Sequence, residues 1–516
     1  MNVKYEFGKF KMKISYDGNE EDLFTGNTLF DNELFRCYLE LLGKMHEGYP
    51  PNILGYYNGV NKLFEDYLKA NKVYADNNKA SIISDPNIMP ASGHDIYNYV
   101  SRYGLTDCQI QVIMKLDGHL NYNKLTNAVK LSVDDQPVFG CRFIEDTTPY
   151  WKPFENLDQV NFCTYEETSN ADESVNRFLK RPLDMDNDPM VKLRLIRSEE
   201  CDTLCFKLNH SCCDGAGIKE YIKLLSEIYS SIDCENGIFI PLPNKRGRKE
   251  QDALFKSLGI TNPDSEWIEG SEVSRVTWPF TWNIAQSEAR HYVVCRLPKG
   301  QIKDIKQYSR EKGATINDII LTAYYRALSE MSQPQYNEAM DISITVDLRR
   351  YLPKQKTEAI RNFSGSENTS IYLLPDETFE ETLSKVVSET NRIKNSQPGL
   401  QSALGLERLE KLAFPEVLSY YNSVSQWACQ CNDKCAPVLS NVGNLSEGLL
   451  KFGEVTAVDA YMVPHTVHAP GFLLLANTYN DTLTLSTAFY DGTIEHEDSI
   501  KLINKVKDEI LKNCTC

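Results

Sequence analysis

A histidine, two cysteines, an aspartate and two glycines lie close together in LNHSCCDGAG, at 208–217. His210 stands four residues before Asp214 and five before Gly215. A neutral imidazole with a pKa near ~6.5 can take a proton from a hydroxyl, and such a base contributes roughly 10²–10⁴-fold in rate. Asp214 could anchor a cation, and Gly215 permits a tight turn or a close backbone approach. The spacing favours a general base, with a metal ligand and an ordinary buried histidine as the alternatives.

The residues around this motif predict the elements that must position it. Residues 190–210 alternate as a hairpin does, His210 continues an apolar strand face, and a helix follows. A second hairpin with an Asp-Gly and a helix comes near the end of the chain. When Asp214 is aligned with Asp491, Thr487 stands where His210 would be. The sequence therefore predicts two related α/β halves, of which one carries the histidine.

The whole chain is acidic and has enough apolar residues for a large core. Of its 516 residues 41% are hydrophobic, and its net charge is −17. An acidic surface repels nucleic-acid phosphates and anionic lipids, so we expect no nucleic-acid partner. No apolar run approaches the ~20 residues that span a bilayer, and the first residues lack a signal peptide's apolar core. We expect a cytoplasmic protein without a membrane span, whose 15 cysteines are mostly reduced thiols.

The stretch NHSCCDGAG resembles the His-x-x-x-Asp-Gly signature of the acyltransferases related to chloramphenicol acetyltransferase. That superfamily includes peptide condensation domains, wax ester synthases and alcohol acetyltransferases. GATINDIILTAYYRAL at 313–328, TVDLRRYLP at 345–353 with the Asn- and Gly-containing stretch after it, and SNVG at 440–443 are also similar to its members. The likeness covers roughly residues 85–516. It implies an α/β fold of two chloramphenicol acetyltransferase-like subdomains, each a mixed β-sheet with helices, with a channel between them.

The resemblance also implies roles for the motif residues. His210 would be the general base that deprotonates a hydroxyl or amine, which attacks a thioester directly without an acyl-enzyme. Asp214, followed by Gly215, would serve as a structural anchor paired with an arginine. Arg349 of DLRR is the better candidate partner and Arg350 the second, and a surface position is the alternative for Arg349.

The domain organisation follows from the same reasoning. Residues 1–80 are interpreted as an accessory N-terminal segment without readable chemistry. Within it, residues 1–16 alternate as a strand pair does, and residues 28–75 have the pattern of two helices. Residues 81–235 would form the N-terminal acyltransferase subdomain with the histidine motif, and 286–516 the C-terminal subdomain. The irregular residues 236–285 between them are interpreted as a crossover linker.

The expected activity is transfer of an acyl group, with acetyl as one candidate, from acyl-coenzyme A to a small-molecule alcohol. Acyl-coenzyme A would be a co-substrate, and no permanently bound cofactor is implied. Ser440 and Asn441 are candidate donors to the oxyanion, or plain strand residues. KRGRK at 245–249 is interpreted as a solvated linker, with contact to coenzyme A phosphates as the alternative. A carrier-protein-dependent enzyme that forms amides, and a non-catalytic binding protein that retains the fold, stay open.

A cysteine-rich metal site is the first competing interpretation. Cys429, Cys431 and Cys435 lie in CQCNDKC, and Cys514 and Cys516 end the chain. The C-x-C-x₃-C spacing departs from the Cys-x₂₋₄-Cys pairs of zinc sites, so we expect no metal.

Other reactive side chains have a weaker claim to a function. His465 and His468 of HTVH, and His94, could bind a ligand or line the channel, although a loop or strand-end position is the simpler interpretation. Cys212 and Cys213 could supply a nucleophile beside His210. The positions between the motif residues vary in the family, so we interpret both cysteines as bystanders.

Overall fold

The computed structural model describes the backbone of three strands near the N-terminus and residues 88–232, 239–243, 249–267, 288–332, 338–418, 421 and 435–515. The three strands, β1 (Lys4–Glu6), β2 (Lys9–Tyr16) and β3 (Asn19–Gly26), form an antiparallel sheet. The strand pair that the alternation predicts in residues 1–16 is β1 with β2. The helices predicted between residues 28 and 75 lie outside the described residues.

The first half of the chain contains the predicted hairpin at 190–210 and the helix after it. Its strands are β4 (Met89–Pro90), β5 (Gln109–Leu116), β6 (Cys141–Ile144), β7 (Tyr150–Pro153), β8 (Cys163–Glu167), β9 (Val191–Arg197) and β10 (Asp202–Asn209). Its helices are α1 (Gly93–Val100), α2 (Tyr122–Asp135), α3 (Ala171–Lys180) and α4 (Gly215–Ser231). Each helix begins after a residue whose side chain accepts a hydrogen bond from a first-turn main-chain N–H, as Ser, Asn and Asp commonly do.

The second half repeats this mixture of strands and helices. Its strands are β11 (Arg290–Arg296), β12 (Met340–Asp347), β13 (Ser364–Ile371), β14 (Val438–Asn444), β15 (Lys451–Phe452), β16 (Val455–Val463), β17 (Leu473–Tyr479) and β18 (Thr482–Tyr490). Its helices, with two from the predicted linker, are α5 (Lys249–Ser257), α6 (Pro263–Glu266), α7 (Gln301–Glu311), α8 (Ile316–Ser332), α9 (Phe379–Lys394), α10 (Leu400–Leu409) and α11 (His496–Cys514). None of the described helices is both long and apolar enough to cross a lipid bilayer.

Two six-stranded sheets have the same pairing around their hairpins. In the first, with the order β15-β16-β5-β10-β9-β8, the hairpin β9–β10 pairs antiparallel with β5 and parallel with β8. In the second, with the order β11-β18-β17-β14-β12-β13, the hairpin β17–β18 pairs antiparallel with β11 and parallel with β14. The α/β class with two related mixed sheets is therefore confirmed.

The two sheets share a crossing segment that the sequence pattern did not predict. Strands β15 and β16 come from the second half of the chain, yet β16 pairs antiparallel with β5 of the first sheet. The chain then returns to β17, and Thr466 exchanges hydrogen bonds with the main chain and carboxylate of Asp107. A buried ion pair between Arg290 Nε and Asp107, 2.9 Å long, joins the halves at the same place. The position where His210 ends its strand therefore lies next to a junction between the halves.

Strand β10 leads directly into the motif and is buried along its whole length. Helix α3 covers one face of β10, and that face carries a buried lysine. Lys207 donates from Nζ to the main-chain carbonyls of Phe178 (2.7 Å) and Arg181 at the C-terminal end of α3. These carbonyls have no partner within the helix, and the Lys207 amine supplies one. The two contacts hold β10 and α3 together below His210.

Candidate active site

The main chain of the motif is fixed from both halves of the protein. The N–H of His210 donates to the carbonyl of Cys108, just before β5, at 2.7 Å. Nδ2 of Asn362, just before β13, donates to the carbonyls of both His210 and Ser211, each at 2.8 Å. Sequence reasoning missed Asn362 as a site residue, because an asparagine in a polar stretch carries no periodic signal that it is buried. These contacts fix the direction in which the His210 ring leaves the strand.

His210 is partly exposed as a residue, and Nδ1 of its ring is buried without a hydrogen-bond partner. Burial lowers the pKa of His210 below its ordinary value of 6.5, while its own main-chain carbonyl, Asp214 and Asn362 oppose that shift. The imidazole is therefore neutral at pH 7 and can accept a proton. Since Nδ1 is buried while the residue keeps some exposure, the accessible edge of the ring carries Nε2.

Asp214 accepts hydrogen bonds from both halves and caps α4. Its carboxylate accepts from the N–H of Gly217 (2.8 Å) and of Phe363 (2.7 Å) and from the hydroxyl of Ser364 (2.8 Å). The guanidinium of Arg349 adds a two-pronged contact at 3.0 and 3.2 Å. Burial alone would raise the pKa of Asp214, but the Arg349 charge and these hydrogen bonds outweigh it and hold that pKa well below its usual range. Every described contact of the Asp214 carboxylate is with a donor that holds the turn in place. Asp214 is therefore placed to support the motif rather than to transfer protons.

Arg349 is the arginine that reaches the motif. Its side chain is 3% exposed, and it also donates to the carbonyl of Arg361 at 2.9 Å and to Asp347 at 3.2 Å. Arg350 is exposed and lies over the ring of Tyr351. A surface position is therefore excluded for Arg349, because its guanidinium is buried between the halves.

The glycines of the motif allow close packing around the start of α4. A Cβ on Gly215 would lie 3.2 Å from Cγ2 of Val442 in β14. A Cβ on Gly217 would lie 2.9 Å from Cβ of Cys213 and 3.2 Å from the carbonyl oxygen of Arg361. Gly215 thus allows α4 to approach β14 closely. Gly217, which the sequence analysis did not single out, has less room for a side chain than Gly215.

Of the two histidines in HTVH, one reaches His210. The rings of His465 and His210 have centroids 5.3 Å apart and are tilted by 57°. Burial, and then the neighbouring His210, lower the pKa of His465 to about 3, so both rings are neutral at pH 7. His468 instead stacks on Tyr490 at 4.1 Å. The two histidines are three residues apart, and this spacing does not predict which of them lies beside His210.

His94 lies behind the motif. It is 3% exposed and stacks on Phe363, with centroids 5.6 Å apart and an angle of 27°. Burial and the charge of Arg361 lower its pKa to about 4. Because His94 is enclosed while His210 is not, His94 is placed as packing behind the Asp214 anchor.

Ser440 and Asn441 lie in β14, where the neighbouring Val442 contacts the motif glycine. Ser440 accepts a hydrogen bond from Thr345 at 3.3 Å, and the Asn441 amide donates to Asn317 at 3.3 Å. No hydrogen bond among the described residues joins either side chain to His210. Their role at an oxyanion stays a proposal.

The motif cysteines face the interior. Cys212 and Cys213 are fully buried, and the thiol of Cys212 donates to the carbonyl of Asn209 at 3.0 Å. A hydrogen bond with Cys212, together with burial, raises the pKa of Cys213 well above its ordinary value. A protonated, enclosed thiol is a poor nucleophile.

The part of the chain that the structure describes contains no group of three or more His, Cys, Asp or Glu side chains able to hold a metal ion. Cys514 is buried in α11, and Cys435 is partly exposed. Cys429, Cys431 and Cys516 lie outside the described residues, as does most of KRGRK.

Comparison with known proteins gives a consistent result. Residues 104–246 match the family model of the Condensation domain. Surfactin synthase subunit 1 of Bacillus subtilis (strain 168) is 24% identical over 225 residues, which are 42% of this chain and 6% of that protein. The match therefore spans a small part of a much longer relative.

Two solved structures show the fold. Trichothecene 15-O-acetyltransferase from Fusarium sporotrichioides superposes with a TM-score of 0.59 at 11% identity, over 82% of this chain and 95% of that one. The first condensation domain of the calcium-dependent antibiotic synthetase superposes with a TM-score of 0.58 at 12% identity, over 83% and 96%.

The fold is thus the chloramphenicol acetyltransferase-like fold that these two solved structures share, as the resemblance in sequence implied. The chain is similar both to condensation domains and to an O-acetyltransferase.

Proposed function

We propose that this protein is an acyltransferase in which His210 is the general base. The observation that carries the proposal is a neutral, partly exposed imidazole at the end of β10, held by contacts from both halves of the chain. A buried structural histidine would have both ring nitrogens enclosed. A metal ligand would need neighbouring ligands, and the described residues offer no such group.

The reaction we propose uses a thioester as the acyl donor. Nε2 of His210 takes the proton of the acceptor hydroxyl while the hydroxyl oxygen attacks the thioester carbonyl. The carbon–oxygen bond forms, the carbon–sulfur bond then breaks, and the thiolate leaves with the proton that His210 returns. Ser440 and Asn441 are our candidates to stabilise the oxyanion, and Asp214 with Arg349 keeps the motif in place.

For the donor we favour an acyl-coenzyme A and for the acceptor a small-molecule alcohol. The likeness to an O-acetyltransferase supports this choice. The match to the Condensation domain model supports the second candidate, an enzyme that takes its acyl group from a carrier protein and forms an amide. Both candidates use the same base and differ in donor and acceptor.

A panel assay separates the two candidates. Purified protein is given coenzyme A thioesters of several acyl lengths, or the same acyl groups on a phosphopantetheinylated carrier protein, each with alcohol and amine acceptors. Release of free thiol and the mass of the acylated acceptor are measured. Ester formation from coenzyme A thioesters alone supports the favoured function, and amide formation from the carrier alone supports the second. No transfer from either donor would favour a non-catalytic binding protein.

A further inference from the structure

Asn362 contacts the histidine motif from the opposite half of the chain. Its side chain is almost fully enclosed, and Nδ2 donates to the carbonyls of both His210 and Ser211 at 2.8 Å. The amide nitrogen has only two protons, so both are used by these carbonyls. The remaining polar atom of the side chain is the acceptor Oδ1.

Two complementary polar atoms are left at this contact. Oδ1 of Asn362 and Nδ1 of His210 are both buried, and neither has a hydrogen-bond partner among the described atoms. The Asn362 amide nevertheless lies close enough to the ring to raise the pKa of His210 against the effect of burial. Because an unpaired buried polar group is unfavourable, a proton on Nδ1 that is shared with Oδ1 of Asn362 would give both atoms a partner.

Other groups that face His210 are engaged elsewhere. Asp214, on the motif's own turn, accepts from Arg349 and from three donors at the start of α4 and β13. Asp107, before β5, accepts from Arg290, Gln109 and Thr466. His465, on the crossing segment, meets His210 as a tilted ring and without a hydrogen bond between them. Neither carboxylate is therefore available to hold the proton of Nδ1.

We infer that Asn362 is a positioning residue that keeps the proton of neutral His210 on Nδ1 and leaves the lone pair on Nε2. The hydrogen bond made by one ring nitrogen decides which nitrogen of a neutral histidine is protonated. Asn362 acts twice, because it also holds the carbonyl of His210 beside Nδ1. The catalytic consequence rests on the proposed function, since only a base with a free Nε2 can take the acceptor's proton at the accessible edge.

The first test is spectroscopic and needs no activity. Long-range ¹⁵N–¹H spectra of histidine-labelled full-length protein report which ring nitrogen carries the proton, and His210→Gln assigns the signal. We expect the Nδ1–H form in the native protein and a shift toward a mixture of forms in Asn362→Leu. A native His210 that carries its proton on Nε2 would overturn the inference, even if neither Asn362 variant folds.

The second test is the pH profile of kcat/KM. Asn362→Leu removes a group that raises the pKa of His210, so the acid limb should move to lower pH. The rate should fall in proportion to the Nδ1–H population that the spectra show to be lost. Asn362→Asp adds a negative charge, so the limb should move to higher pH. The matched control is Asn368→Asp, which puts the same charge at an exposed position in β13 and should leave the profile unchanged.

A uniform loss of activity with an unmoved acid limb in both Asn362 variants would mean that Asn362 only supports the fold, which contradicts the inference. If the native protein transfers no acyl group, the proposed function fails while the tautomer measurement still decides the role of Asn362.

Discussion

The buried pair of Asp214 and Arg349 gives a quantitative expectation for stability. Asp214→Asn keeps the size of the side chain but removes its charge, which takes from the Arg349 guanidinium, 3% exposed, its one buried carboxylate partner among the described residues. The carboxylates of Asp347 and Glu220, which are more exposed and lie 3.2 and 4.0 Å from it, remain. Removing one member of a buried pair typically costs about 3–5 kcal/mol, because the remaining charge is buried and uncompensated. We therefore expect the free energy of unfolding to fall by about 3–5 kcal/mol.

The chain offers a matched control on the same arginine. Asp347 lies 3.2 Å from Arg349 Nη1, but its side chain is 55% exposed. Exposed pairs contribute about 0–1 kcal/mol, so Asp347→Asn should cost far less than Asp214→Asn although both remove one negative charge. Urea unfolding followed by fluorescence and circular dichroism measures both variants. A loss below about 1 kcal/mol in Asp214→Asn, or equal losses in the two variants, would refute the anchor role.

The pH dependence of the same pair has a definite sign. The native pKa of Asp214 lies below its unfolded value of about 3.9. At pH values between the two, the unfolded chain therefore binds this proton more readily than the folded protein does. The stability contributed by Asp214 is complete above about pH 4 and is lost as the pH falls toward the native pKa. The difference between the wild type and Asp214→Asn should therefore shrink below about pH 4.

Three further expectations concern the glycines, the buried lysine and the base. Gly217→Ala should destabilise the protein by about 1–3 kcal/mol in urea unfolding and more than Gly215→Ala, because its Cβ would lie 2.9 Å from Cys213 Cβ; equal losses would argue against this packing. Burial lowers the pKa of Lys207 to about 7, so the unfolded chain binds more protons than the folded protein between pH 7 and about 10.5. The stability of the wild type relative to Lys207→Met should therefore rise with pH in that window. A flat or falling difference in stability would contradict the burial of Lys207. The acid limb of kcat/KM should lie below pH 6.5, since burial lowers the pKa of His210; a limb above 6.5 would show that another group controls it.

The local periodicity of the sequence was sufficient to predict helices and strands, but it was insufficient to predict the contacts between them. The alternation at 190–210 and the helical spacing after it correspond to β9, β10 and α4, and the second hairpin has the same neighbours as the first. These features depend on residues adjacent in the chain, whose side-chain period is fixed by the backbone.

The missed features all join distant segments. The crossing of β16 into the first sheet, the Asn362 contact across 152 residues and the approach of His465 to His210 follow from tertiary packing. No spacing within one element encodes them. Arg349 was an exception, because a resemblance to known acyltransferases, and not the periodicity, pointed to it.

The most direct measurement is acyl transfer by His210→Ala beside the wild type, with the donor and acceptor that the panel assay identifies. Because the ring is partly exposed and Asp214, Arg349 and Asn362 stay in place, we expect this variant to unfold at nearly the wild-type urea concentration. Its kcat/KM should fall by about 10²–10⁴, the contribution of a placed general base. Near-wild-type turnover in a folded His210→Ala protein would contradict the assignment of His210 as the base.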